Sequence, residues 1–222
     1  MAKTSSRWNF GRFLATLSFF GSIPIVSQIN TMVFGSTAPQ PPQPINNTLI
    51  NFTASKSNPS EIWGSLDDVV MGGVSQSQAQ SSSEGLLFTG YVSTDNSGGF
   101  ASIRTRNFEP ALNLAGKQGI SLRLKGDGQR YKFFVRDSTS WDSLAYAISF
   151  DTKAGEWMTV QLPFAEMKPV MRAKIVDSAP DLKVDQIASL QLMLSKFEYN
   201  RQLNPSFSPG QFALTIESIG VF

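Results

Sequence analysis

The chain has 222 residues, 41% of them hydrophobic, with neither cysteine nor histidine. Without thiol or imidazole, Ser-His-Asp, Cys-His and histidine-based metal chemistry are excluded, and so are disulfides and cysteine-ligated zinc or iron–sulfur sites. The formal charge of +2 is uneven: residues 1–60 carry Lys3, Arg7, Arg12 and Lys56 and no acid, so the remaining 15 basic residues face all 17 acidic ones and the body is slightly negative. A nucleic-acid-binding surface is therefore not expected on it.

Residues 1–35 open with basic residues and continue as an apolar run, Phe13 to Val26, of 14 residues. A spanning helix needs about 20, and Gly21 and Pro24 interrupt this one. Two readings stay open. The segment lies in a membrane interface with its cations on anionic lipid, or it is a signal peptide for export. Residues 36–47 hold four prolines and read as an extended linker. The domain is expected over 48–222.

From there the pattern is β. Leu86–Val92, Ala101–Arg106, Ile120–Lys125, Tyr131–Arg136, Leu144–Phe150, Trp157–Leu162, Ile187–Leu194 and Phe212–Ile219 read as short strands separated by Gly-, Pro- and Asp-rich turns. Residues 163–185, broken by Pro163, Pro169 and Pro180, read as an irregular excursion with room for one short helix. Eight strands without a strong helix between them predict an all-β, antiparallel β-sandwich or jelly roll.

One stretch has no period at all: Trp63-Gly64-Ser65-Leu66-Asp67-Asp68-Val69-Val70-Met71-Gly72-Gly73-Val74-Ser75. It packs two carboxylates and a Gly-Gly pair behind a tryptophan, and ordering it requires partners for both Asp side chains. Ser93-Thr94-Asp95-Asn96-Ser97-Gly98-Gly99-Phe100 repeats that chemistry about twenty residues later. Together they predict one shaped rim on a β scaffold.

These segments, with Arg123-Leu124-Lys125-Gly126-Asp127-Gly128-Gln129-Arg130-Tyr131, Trp157-Met158-Thr159-Val160-Gln161-Leu162-Pro163-Phe164, Leu192-Met193-Leu194-Ser195 and Gly210-Gln211-Phe212-Ala213-Leu214-Thr215-Ile216, resemble the complex I intermediate-associated protein 30 family in order over roughly 50–222. The resemblance implies a galactose-binding-domain-like β-sandwich. It also implies a non-catalytic assembly factor or chaperone whose partners are subunits or assembly intermediates of a membrane-bound electron-transfer complex. The implied place is peripheral on a thylakoid or plasma membrane of a bacterial, cyanobacterial or plastid setting. The alternative is a carbohydrate-binding module of an exported protein. No Gly-x-Gly-x-x-Gly follows a strand, so no dinucleotide-binding half is expected.

For chemistry, Asp67 and Asp68 read either as calcium ligands or as a turn cap and an ion-pair partner of Arg104 or Arg123. No cofactor or metal is assigned. Gly72, Gly73, Gly98 and Gly99 supply turn conformations or let a partner's backbone approach. Arg104, Arg106, Arg123, Lys125 and Arg130 are expected either as one basic outer patch or as ordinary solvated positions. Trp63, Trp141, Trp157 and Tyr146 are candidates for a sugar platform, although Trp157 heads a strand and suits the core. Trp141 stands on a polar loop as a partner hot spot or folds back over the sheet edge. The candidate partner-binding rim is thus Asp67, Asp68, Gly72, Gly73, Ser75, Asn96, Gly98 and Gly99, with Arg104, Arg123 and Trp141. On that reading Asp68→Ala leaves the domain folded and abolishes binding.

Overall fold

A computed structural model describes residues 47–54 and 58–222. The expected membrane-associating segment and nearly all of the linker lie outside the described residues. Thirteen strands follow in chain order. They are β1 (Thr48–Asn51), β2 (Trp63–Ser65), β3 (Gln76–Ser82), β4 (Gly85–Val92), β5 (Phe100–Thr105), β6 (Gly119–Lys125) and β7 (Arg130–Arg136). After these come β8 (Ala145–Asp151), β9 (Trp157–Pro163), β10 (Lys168–Met171), β11 (Lys174–Ile175), β12 (Ser189–Ser195) and β13 (Gly210–Val221).

The strands form two antiparallel sheets. One has the order β3-β4-β13-β6-β9, with β1 also pairing β13; the other runs β11-β10-β8-β7-β12-β5-β2. The long β13 pairs β4 through Gly210–Ile216 and β1 through Ser218–Gly220, while its pairing with β6 shifts register between Ile216 and Ser218. Alternation dictates which side chains meet between the sheets. Phe88, Leu122, Leu124, Tyr131, Phe133, Leu190, Leu192, Leu214 and Ile216 are fully buried in one continuous core. At its centre Phe88 meets Phe212 edge-on at 4.9 Å and Tyr131 at 6.2 Å. Each such side chain contributes about 1.5–3 kcal/mol by leaving water.

The eight expected strands are all present, with ends shifted by one or two residues. Where an irregular excursion with a helix was expected, the chain makes a 3-10 turn at Phe164–Glu166 and then the β10–β11 hairpin. Its turn is carried by Arg172 and Ala173 at positive φ. Besides β10 and β11, three further strands escape the periodicity argument. β2 has three residues, β1 four, and β3 reads Gln-Ser-Gln-Ala-Gln-Ser-Ser, where only Ala79 faces the core. β3 is the edge of its sheet, and a polar edge resists further pairing.

Candidate functional site

The two aperiodic loops come together, and the Asp68 carboxylate joins them. Asp67 ends an extended stretch and Asp68 begins a 3-10 turn, Asp68–Met71, which stops at Gly72 in the left-handed region (φ 92°). The Gly72 and Gly73 amides close the turn on the Val69 and Asp68 carbonyls at 3.1 and 3.0 Å. This folds the Asp68 side chain inward, where it is 0% exposed. Its Oδ1 accepts from the Ser75 amide (2.9 Å). Its Oδ2 accepts from the Ser75 hydroxyl (2.7 Å) and from the Gly99 (2.7 Å) and Phe100 (3.2 Å) amides of the second loop. The Ser75 hydroxyl in turn accepts from the Ser93 amide at 3.0 Å.

The glycines follow from that carboxylate. A Cβ on Gly73 would stand 2.3 Å from the Asp68 Cγ, and one on Gly98 would stand 2.5 Å from Oδ2. Gly99 adopts φ +141°, which L side chains rarely take. Asn96 and Ser97 form the tip of the second loop at φ 52° and 62°, a region that short polar side chains such as Asn tolerate.

Asp67 ties the same segment to both sheets. Its Oδ2 accepts from the Ser77 amide on β3 (2.8 Å), and its Oδ1 from the Ser77 hydroxyl (2.6 Å) and the Ser102 amide on β5 (2.8 Å). Neither Asp pairs with Arg104 or Arg123: their partners are amides and hydroxyls throughout. No group of three or more Asp and Glu side chains that would hold a metal occurs among the described residues.

The two carboxylates titrate in opposite directions. Burial works against the Asp68 charge, but donors from Gly99, Ser75 and Phe100 outweigh it and hold this pKa below the usual range. Burial dominates at Asp67, and with the neighbouring Asp68 charge it pushes that pKa up despite Ser77 and Ser102. A depressed carboxylate contributes stability above its unfolded pKa of about 4 and loses it as the pH falls through the folded value. Ser75→Ala removes one donor, raises the Asp68 pKa and so shrinks that contribution. The wild type should therefore lose more stability than Ser75→Ala between about pH 6 and pH 3 in urea titrations. Equal losses would show that the hydroxyl does not hold the charge.

With Asp67, Asp68, Gly73, Ser75, Gly98 and Gly99 all buried, the surface of the rim belongs to other residues. Val69, Val70, Met71 and Val74 are exposed, Val70 at 66% and Met71 at 71%. The adjoining loop after β12, whose Lys196 amide donates to the Gly99 carbonyl (2.7 Å), adds exposed Phe197 and Leu203. Gly72 and Asn96 are exposed beside them. The Val-Val-Met run, bracketed by two acids and two glycines, was the sequence signal for this patch. It reads as core only while the burial of its neighbours is unknown.

The other candidates lie elsewhere. Trp141 sits on the β7–β8 loop, at the far end of β5 from the rim, 71% exposed, with the Arg104 guanidinium 5.2 Å from its ring centre. Arg104 is on β5, whereas Arg123 and Lys125 are on β6 of the other sheet, so the expected single basic patch does not form. Arg123 lies 3.7 Å from Glu217 and over the half-buried Trp157 at 5.4 Å, and Arg130 bonds Asp151 and Glu198. Trp157 is thus on the outer face rather than in the core. Trp63 and Tyr146 are core residues and form no sugar platform.

The sequence pattern of the family described as complex I intermediate-associated protein 30 (CIA30) matches residues 50–216. The chain belongs to the CIA30 family. An uncharacterized protein of Schizosaccharomyces pombe is 31% identical over 170 residues, 69% of this chain and 74% of that one. Among solved structures, the family 11 carbohydrate-binding module of the Clostridium thermocellum cellulosomal cellulase Lic26A-Cel5E matches with a TM-score of 0.54 at 17% identity. The match covers 78% of this chain and 92% of that one. The C. thermocellum family 11 module in complex with a mixed-linked tetrasaccharide matches at TM-score 0.54 and 18% identity, covering 79% and 94%. At such identity the likeness shows the fold alone: this CIA30 domain has an all-β, galactose-binding-domain-like jelly-roll sandwich fold.

Proposed function

We propose that this CIA30 protein is a non-catalytic assembly factor that holds polypeptide intermediates of a membrane-bound electron-transfer complex, and that the Val69–Met71 loop is its grip. The observation that carries this reading is the pairing of a buried carboxylate clamp with an exposed apolar loop. Exposing Val69, Val70, Met71 and Val74 side by side is unfavourable in water, and four hydrogen bonds to Asp68 prevent the loop from folding them away. A rigid loop also loses little conformational freedom when a partner covers it. Family membership supports the class of partner, and attachment to the membrane surface through residues 1–35 belongs to the same proposal.

The test is to purify the full chain from native membranes under mild detergent and identify its companions, with a glycan array run on the same sample. Subunits of one electron-transfer complex are the expected companions. Glycan binding without such subunits would replace this reading with the carbohydrate-binding one.

A further inference from the structure

Five buried side-chain nitrogen and oxygen atoms lack a hydrogen-bond partner among the described residues, and four gather in one region: Arg136 Nε and Nη1, Ser143 Oγ and Gln191 Oε1. Strand register explains the gathering. On β12, Gln191 stands opposite Arg104 of β5, and Ser189 stands opposite Arg136 of β7. With alternate residues pointing the same way, Arg104, Ser189, Gln191 and Arg136 share the outer face of their sheet, and Ser143 lies on the β7–β8 loop beside them.

Two guanidiniums thus share one sheet face, and among the described residues no carboxylate is bonded to either. Arg104 donates there to the Ser189 hydroxyl (3.3 Å) and the Trp141 carbonyl (3.1 Å), and Arg136 Nε and Nη1 find no acceptor among those residues. Of the two acids on the β7–β8 loop, Asp142 is taken by Arg172 and Asp137 accepts from the Lys183 amide at 3.0 Å. Burial, followed by repulsion from Arg104, pushes the Arg136 pKa down to about 10, with Asp142 offsetting a little. Gln191, 2% exposed, spends its amide N–H on the Ser102 hydroxyl at 3.0 Å and keeps its oxygen unused. Unpaired buried donors and acceptors are costly, and a cluster of them is the mark of a ligand group that completes it.

We infer that the Arg104–Arg136–Gln191 face is a binding site for a carboxylate of an acidic polypeptide segment. One of its oxygens would take a free N–H of Arg136 and the other the Ser143 hydroxyl, and a neighbouring peptide N–H would serve the Gln191 oxygen. Hydrogen bonds between arginine and carboxylate are charge-assisted and strong. The exposed Trp141, backed by Arg104, gives the segment an aromatic anchor at the edge of the site, and Trp and Arg dominate binding hot spots. The choice of a polypeptide rests on the assembly-factor reading; the choice of a carboxylate rests on the site alone.

The test uses the full chain and a capped tetraglutamate peptide, titrated by calorimetry at low salt, with oligogalacturonate as the second probe. Wild type should bind the peptide, and Arg136→Met should weaken that binding about tenfold or more without lowering the melting temperature, since it removes an uncompensated buried cation. Val70→Asp with Met71→Asp should bind the peptide as wild type does, so failure of the rim and failure of this site are separable. Absence of peptide binding, equal binding by Arg136→Met, or a lowered melting temperature in that variant would overturn the site. Binding of oligogalacturonate but not of the peptide would overturn the choice of a polypeptide.

Discussion

Replacing Asp68 by alanine should cost the domain about 3–5 kcal/mol, enough to leave much of it unfolded at physiological temperature. The carboxylate is fully buried and accepts from Ser75, Gly99 and Phe100 amides and the Ser75 hydroxyl. Alanine supplies no acceptor, and three amides in a dry site are left unpaired, each at about 1–3 kcal/mol before relaxation. Asp68→Asn should recover part of the loss, because its oxygen still serves one side while its N–H2 faces the donors of the other. Urea unfolding of the three proteins checks the order wild type, Asn, Ala. A loss under about 1 kcal/mol in Asp68→Ala would mean the two loops hold together without the carboxylate. The outcome expected from sequence, a folded Asp68→Ala defective only in binding, is therefore reversed: this side chain builds the rim and never reaches its surface.

The second large effect is on binding rather than stability. Val70→Asp combined with Met71→Asp should abolish capture of the membrane-complex subunits while moving the unfolding midpoint by no more than about 0.5 kcal/mol. Both side chains are exposed, Val70 at 66% and Met71 at 71%, so they contribute little to the folded state. In an interface they would be buried, and two carboxylates there would be desolvated without partners. Capture by the full chain, measured alongside its urea midpoint, separates the cases. An unfolded variant would show that the loop belongs to the core, and a folded variant with full capture would place the grip elsewhere.

Much of the scaffold is legible in the sequence because period-two alternation survives wherever one sheet face is buried, as in Ile120–Lys125. β3 is hidden because an edge strand needs only Ala79 on the core side, and β10–β11 because Pro169 and a left-handed turn at Arg172 and Ala173 resemble loop chemistry. The Asp-Asp and Gly-Gly pairs correctly mark two loops that meet. Which of their atoms face inward is decided by Gly73 and Gly98 yielding space to the Asp68 carboxylate, a long-range contact that no local window contains. The pairing of Arg104 with Arg136 across β12 is likewise a matter of register. Trp141 and Arg104, which the sequence suggests for the rim, occupy the other end of the sheet.

The most direct measurement places a photo-crosslinking amino acid at position 70 in the full chain, in native membranes, with position 80 of the exposed β3 edge as the reference. A clamped apolar grip predicts adducts to a subunit of the electron-transfer complex from position 70 and none from position 80. No adduct from position 70, or the same adducts from both, would contradict it.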